Sequence, residues 1–406
     1  MNMSRFYGRK EALAWLVVLS MAVFFIAMVG FRTRDPDSSL HVAISVRLAQ
    51  EPMTRWIAPE WWSDHWNAAG LYREHPAGIF WLPALLTRLG YPPRQAAYAV
   101  NTIYLACTII LIQRLAALFV SGFEARTLSW LLQLIPIAFT YRLRANHEQV
   151  VLLCFLAALY GAERSRTRAA WGLLTAFAFV GLMFVKGVMF VFLPIACAVL
   201  LLTDRKGQGM RRAWIMLIVS VVIASAAAAI YEIAFRSVTG EGFIGPYLGR
   251  QLKTAAVPHS TAVAFQKIQN LAWYSARVLW FSFPWSFVLI ALVWRDYRRS
   301  REARSRPTDG RARRAGLMCL VMTLVYVLVF SLSDRKADRY IFPAYFLVGA
   351  FGAVMALRRS ARFRRIAERF DSRQPRTTVD VFFITIGLHL VGGWLHMPRV
   401  KIWPSD

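Results

Sequence analysis

The stretch Arg34-Asp35-Pro36-Asp37-Ser38-Ser39-Leu40-His41 follows directly on an apolar run at residues 12–30. Two carboxylates therefore fall where a helix of spanning length leaves the bilayer. Acids are scarce in this chain, 22 Asp and Glu against 49 Lys and Arg, so a pair at a membrane boundary calls for a reason. Outward from it, residues 38–50 place Leu40, Ile44 and Leu48 at helical spacing, and Glu74-His75-Pro76 follows before the next apolar run. The spacing predicts a helix lying on the bilayer surface and a built site above it.

The rest of the chain reads the same way. Of its 406 residues, 57% are hydrophobic, in apolar runs about as long as the roughly 20 residues a helix needs to cross the hydrocarbon. The basic start (Arg5, Arg9, Lys10) precedes a run too long for a cleavable signal core, which predicts a retained signal-anchor helix. The chain thus reads as an all-α polytopic membrane protein. About 11 transmembrane helices are predicted, with interfacial helices at 38–50 and 76–90 in a first external loop at about 31–95. A second external loop is expected at about 236–277, and residues 358–406 form a basic inner loop, a last span and a short external tail.

The net charge of +27 does not imply nucleic-acid binding. Nine Arg lie between Arg295 and Arg314 and eight between Arg358 and Arg376, in short loops between apolar runs. That is the positive-inside pattern, and such loops also meet anionic membrane lipids. The four cysteines all sit inside apolar runs without metal-ligand spacing, so they read as packing residues.

The candidate chemistry lies at outer boundaries. Asp35 and Asp37 flank a proline; either Asp37 or Ser38 could be a helix N-cap, and an aspartate at a polar–apolar boundary also suits general-base work. Glu74-His75 could cap the following helix or face the same site. Arg144 and Glu148, four apart, could simply pair with each other. Lys186-Gly187 interrupts two apolar runs, placing there either a snorkelling lysine or a cation for a lipid phosphate. Arg335, Lys336, Arg339 and Tyr340 gather at another outer boundary and suit a phosphate. Trp56, Trp61, Trp62, Trp66 and Trp81 form either an interfacial belt or sugar-stacking surfaces. His259 is isolated.

The order of these motifs resembles that of the bacterial members of the protein O-mannosyltransferase superfamily (glycosyltransferase family 39). That group includes the lipid A aminoarabinose transferases, and its enzymes have the GT-C fold. Pro36-Asp37-Ser38 with His41 stands where the family has Pro-Asp-Glu and an aromatic. Glu74-His75-Pro76-Ala77 with Phe80-Trp81 is similar to its Glu-Lys-Pro-Pro and Tyr-Trp. Val185-Lys186-Gly187 resembles its Thr-Lys-Gly, and Pro284-Trp285-Ser286 matches its Pro-Trp-Ser. Phe330-Ser331-Leu332-Ser333, Lys336, Tyr340-Ile341 and Pro343 match a further signature.

The resemblance covers residues 12–357 and implies a GT-C-like transmembrane catalytic domain over 1–357. It implies a glycosyltransferase that moves a sugar from a polyprenyl-phosphate carrier to an envelope lipid, glycan or protein. The site would face the periplasm from a bacterial inner membrane. Asp37 would be the general base with Asp35 in reserve, and Glu74 would shape or coordinate the site. His75, Lys186, Lys336, Arg339 and Tyr340 would face donor phosphate or sugar. No metal ligands are assigned; a divalent cation is the one cofactor to consider, and membrane lipids are partners. Ser38 replaces the family's second acid, His75 replaces a lysine, and no soluble C-terminal domain is expected. A polytopic lipid or solute transporter or flippase is the competing reading, though the acids collect at the outer boundary rather than mid-span.

Overall fold

The computed structural model describes residues 36–63, 68–142, 144–204, 208–253, 261–300, 310–333 and 336–371. The apolar runs at 12–30 and 381–395, together with Asp35, Trp66, His259 and Arg335, lie outside the described residues.

Helix α1 (Pro36–Gln50) leads into an antiparallel hairpin of β1 (Glu60–Ser63) and β2 (Ala68–Leu71), with Glu60 opposite Leu71. Then come α2 (Gly78–Arg88), α3 (Pro93–Ala116), α4 (Gly122–Leu131), α5 (Pro136–Arg142), α6 (Glu148–Arg164), α7 (Trp171–Lys186) and α8 (Phe192–Leu202). The remainder is α9 (Met210–Thr239), α10 (Ile244–Lys253), α11 (Thr261–Phe281), α12 (Trp285–Ser300), α13 (Gly310–Ser331), α14 (Phe342–Arg359) and α15 (Ala361–Asp371).

Five helical stretches are long and apolar enough to cross a membrane: Gln95–Ala116, Trp171–Leu202, Met210–Thr239, Gly310–Ser331 and Asp338–Arg359. A sixth is counted if the bent pair Phe265–Phe281 and Trp285–Arg295 is one span. The chain is a multi-pass membrane protein. Five or six of the roughly 11 predicted spans are thus met by length and apolarity among the described residues. Along α9, Ile218, Val222, Ile230 and Ile233 are exposed, as a lipid-facing surface requires.

The stretch Trp171–Leu202 is not one straight rod. Thirty-two helical residues would extend about 48 Å. Yet Arg166, just before it, lies 2.8 Å from Asp204, just after it. The chain therefore folds back on itself at Gly187, whose φ of 50° suits a residue without a Cβ, as the Lys186-Gly187 turn predicts. A Cβ on Gly187 would also come within 2.4 Å of the Tyr247 hydroxyl.

At the end of the molecule opposite that fold, the basic loops converge. Arg314 Nη1 donates to Glu163 Oε1 at 2.9 Å, Arg166 Nη1 to the same oxygen at 3.0 Å, and Arg212 Nη1 to the Thr167 carbonyl at 2.7 Å. These bonds join the bases of α6, the α7–α8 hairpin, α9 and α13. Arg358 grips Glu124 through Nε at 2.8 Å and Nη2 at 3.0 Å, while Ser121 and Glu124 form a capping box at the start of α4. α14 is thereby fixed to α4. The core between them is apolar, built from residues such as Leu132, Phe155, Phe179, Phe342 and Leu347.

Three expectations need correction. The apolar run at 278–294, whose length predicts one returning span, is broken instead: α11 and α12 meet at 99°, because Pro284 offers no backbone N–H to continue the helix. Helix α1 does not rest on the bilayer with one apolar face. Val42 and Val46 pack against Ala97 and Ala145 on one side, while Ile44 and Leu48 join the main core on another. α2, α3 and the residues before α6 cover it. The second surface helix starts at Gly78 rather than at Pro76. That helix does show two faces, Ile79, Phe80 and Ala84 buried and Leu82, Leu85 and Leu89 exposed.

Candidate active site

α1 organises the site because its polar residues face inward. Ser38 Oγ accepts the Ala145 N–H at 2.9 Å, and His41 Nδ1–H donates to the Ala145 carbonyl at 3.0 Å. These two bonds tie one helix turn to the non-helical segment before α6, leaving neither backbone group of Ala145 unsatisfied. Ser38, standing where the family has an acid, has become a strut.

Asp37 begins the same turn, and its carboxylate pairs with Arg339, from the 3-10 turn Asp338–Ile341 that opens α14. Arg339, predicted to face a donor phosphate, instead holds the predicted base. Tyr340 beside it stacks on Phe330 at 5.5 Å, and Phe330 stacks on Phe192 at 5.5 Å, which stacks on Tyr326 at 4.7 Å. This aromatic column fixes the Asp338–Ile341 turn to the core. Lys336 is exposed.

Around His41 a second group gathers. His41 meets His147 edge to face at 4.6 Å, and His75 meets the other side of His147 at the same separation. Next to His147, Glu148 pairs with Lys186 at 3.3 Å, both side chains at most 5% exposed. Burial, then the nearby charges of Lys186 and His41, hold His75 well below the usual imidazole range of about 6.5. Burial does the same for His147, helped by His41, His75 and Lys186. Both rings are therefore neutral near pH 7.

The Lys186 end is closed from above by α10. The Tyr247 hydroxyl accepts the Val188 N–H at 2.9 Å and donates to the Lys186 carbonyl at 3.3 Å, bridging the break in the helix. Arg250, one turn on, pairs with Glu74. Arg73 pairs with Glu241 and lies over the Phe235 ring at 5.7 Å. The segment 241–250 thus clamps residues 73 and 74.

Of the predicted site residues, Asp37, Glu74, His75, Lys186 and Arg339 all belong to these linked clusters. The pairings differ from the sequence reading. Arg144 lies outside any helix, over the Tyr141 ring at 4.6 Å, and Glu148 pairs with Lys186. Trp56 and Trp61 are buried rather than at a surface, and Trp81 Nε1 donates to the Trp56 carbonyl at 2.9 Å. Three contributors were not picked out as site residues by sequence: His147, Glu148 and Arg250. The polar run Arg144–Glu148 at the mouth of an apolar segment was the available signal for the first two. Among the described residues, no group of three His, Cys, Asp or Glu side chains is arranged to hold a metal ion.

Comparison with known proteins bears on the frame around these groups. The chain superposes on the crystal structure of apo ArnT from Cupriavidus metallidurans with a TM-score of 0.61 over 88% of its length, at 18% identity. The same protein bound to undecaprenyl phosphate gives 0.60 over 95% at 16% identity. The apo oligosaccharyltransferase of Archaeoglobus fulgidus gives 0.51 over 93% at 10% identity. The fold is the GT-C fold. A family model for dolichyl-phosphate-mannose-protein mannosyltransferases matches residues 74–231, which run from Glu74 through the Lys186 turn to α9. The GT-C chain described here spans 62% of the apo ArnT chain, 76% of the ArnT chain with undecaprenyl phosphate and 56% of the oligosaccharyltransferase. No curated protein matches the sequence.

Proposed function

We propose that this GT-C protein is a membrane glycosyltransferase that takes a sugar from a polyprenyl-phosphate carrier and delivers it to an envelope lipid, glycan or protein. The observation that carries the reading is the convergence of Asp37, held by Arg339, with the buried Lys186–Glu148 pair and the His75 ring. These groups come from five distant parts of the chain. The match of residues 74–231 to a dolichyl-phosphate-mannose transferase family supports the reaction class, and a similarly folded ArnT bound to undecaprenyl phosphate supports the carrier class.

In this reaction an acceptor hydroxyl or amine attacks the anomeric carbon. Asp37 takes the acceptor's proton, and the carbon–oxygen bond to phosphate breaks with its electron pair leaving on the phosphate. Arg339 fixes the direction of the Asp37 carboxylate. Lys186 supplies positive charge where the phosphate departs, with Glu148 fixing its ammonium until substrate arrives. Glu74 is held by Arg250 and shapes the roof, and Tyr340 and the exposed Lys336 are at the carrier's entrance. The site faces the periplasm of a bacterial inner membrane.

The test is Asp37→Asn, assayed for transfer from labelled carrier-linked sugar in proteoliposomes. Loss of a general base lowers kcat about 10²–10⁴-fold. Undiminished transfer by a folded variant would remove Asp37 as base. Carrier movement between leaflets without transfer would favour a flippase.

A further inference from the structure

Three imidazoles packed edge to face beside a lysine–carboxylate pair, His41 and His147 among them buried, are more than support for a helix. The rings come from three places: His41 on α1, His75 on the loop before α2, and His147 immediately before α6. His147 is 6% exposed. Its Nε2, the Nδ1 of His75 and the Oε2 of Glu148 have no hydrogen-bond partner among the described residues. Both side-chain polar atoms of Asn146 are in the same condition. A buried polar atom without a partner is rare, and several beside one ion pair point to a ligand. The charged and titratable groups facing His147 are His41 from α1, His75 from the loop, Glu148 from α6 and Lys186 from α7. At rest Lys186 and Glu148 cancel, and burial keeps His75 and His147 neutral. The cluster itself therefore offers a bound anion little fixed charge.

The transfer reaction changes the anion's charge. A polyprenyl phosphosugar is a diester with one negative charge, while the departing polyprenyl phosphate is a monoester. Its second ionisation lies near pH 6, so it is mostly a dianion above neutrality. A pocket matched to the first and not the second would oppose the products. We infer that the His41–His147–His75 stack is a proton-accepting site that takes up one proton when a phosphomonoester dianion occupies the space beside Lys186. Asp37 lies one turn before His41 on the same helix, so the proton lifted from the acceptor has a short route to the stack. No other reagent is required: the proton leaving the acceptor balances the charge gained by the phosphate. The resting neutrality of His75 and His147 then has a purpose, since each retains capacity for a proton.

This inference rests on the carrier-phosphate reading, and one experiment separates the two. The full chain in nanodiscs is titrated calorimetrically with undecaprenyl phosphate at pH 7.5, in two buffers of different ionisation heat. The wild type is expected to take up about one proton per phosphate bound. His147→Asn is expected to reduce that number to near zero. His75→Lys carries a permanent charge in the same place and is expected to bind the phosphate without proton uptake, flattening the pH dependence of affinity. A purely structural role for the rings would leave the proton number of any folded variant unchanged. Binding by the wild type without proton uptake, or uptake unchanged in both variants, overturns the inference and leaves the transferase reading standing. Failure of the wild type to bind the phosphate at all overturns both.

Discussion

Arg339 forms an ion pair with Asp37, joining the turn that opens α14 to the first turn of α1. Both side chains are partly covered, 34% and 20% exposed, so the pair orients more than it stabilises. If Arg339 positions the base, Arg339→Gln lowers kcat about tenfold and leaves the affinity for the carrier phosphate nearly unchanged. If it were instead a phosphate ligand, the affinity would fall. Steady-state kinetics paired with phosphate titration distinguish the two.

The Lys186–Glu148 pair behaves differently because it is buried. Removing one partner leaves an uncompensated charge, and Glu148→Gln is expected to cost about 3–5 kcal/mol. Adding Lys186→Met to Glu148→Gln restores much of that loss, while transfer activity stays absent. Thermal unfolding in detergent, run as a double-mutant cycle, measures both effects.

Gly187→Ala combines two penalties. Its φ is 50°, and the new methyl group meets the Tyr247 hydroxyl. A stability loss of about 1–3 kcal/mol is expected, in the range for strained backbone. Tyr247→Phe in the Gly187→Ala background is expected not to recover the loss, because the ring carbons Cζ and Cε1 also stand 2.7 and 2.8 Å from the new methyl group; the unfolding temperature of the double variant reads this.

Glu124 predicts how acid weakens the contact between α4 and α14. Burial acts to raise its carboxyl, but hydrogen bonds from Arg358 and Ser121 outweigh this and hold it below 4.5. A carboxylate lowered on folding contributes stability that is complete above its unfolded value and lost as pH falls through its folded value. Wild type should therefore exceed Glu124→Gln in unfolding temperature above about pH 5, and the difference should disappear as pH falls through the lowered folded-state value.

The Arg250–Glu74 clamp is half exposed, at 47% and 30%. Such a pair is worth about 0.2–1 kcal/mol, so Arg250→Ala should raise the opening of the α10 segment by up to about fivefold. Limited proteolysis within residues 244–253 reads this directly; an increase far beyond that would mean that α10 depends on the pair for its fold.

Several features were readable in advance because they depend on local pattern. Apolar runs of spanning length, Gly187 at a reversal and Arg-rich loops gathered at one end follow from length, backbone freedom and charge asymmetry alone. Helix α1 shows where pattern fails. Leu40, Ile44 and Leu48 mark one apolar face, but nothing in residues 38–50 announces that Ala97 and Ala145 will cover Val42 and Val46. Pro284 stands in the sequence as part of a Pro-Trp-Ser motif inside one apolar run, yet α11 and α12 meet there at 99°.

Residue types near the membrane boundary already nominated Asp37, Glu74, His75, Lys186 and Arg339, since scarce charges beside apolar runs are costly unless they are used or paired. Which charge answers which was beyond that reasoning. Arg144 stands four residues before Glu148, an ideal helical spacing, but the helix begins only at Glu148, so the spacing has no meaning there. Composition and apolar periodicity determined that the chain is a helical membrane protein with polar chemistry at helix ends, because burial in lipid constrains every run in the same way. Packing alone decided that Arg339 meets Asp37, that Lys186 meets Glu148 and that three histidines share one stack. Those pairings depend on where helices far apart in sequence cross, and no local propensity encodes a crossing.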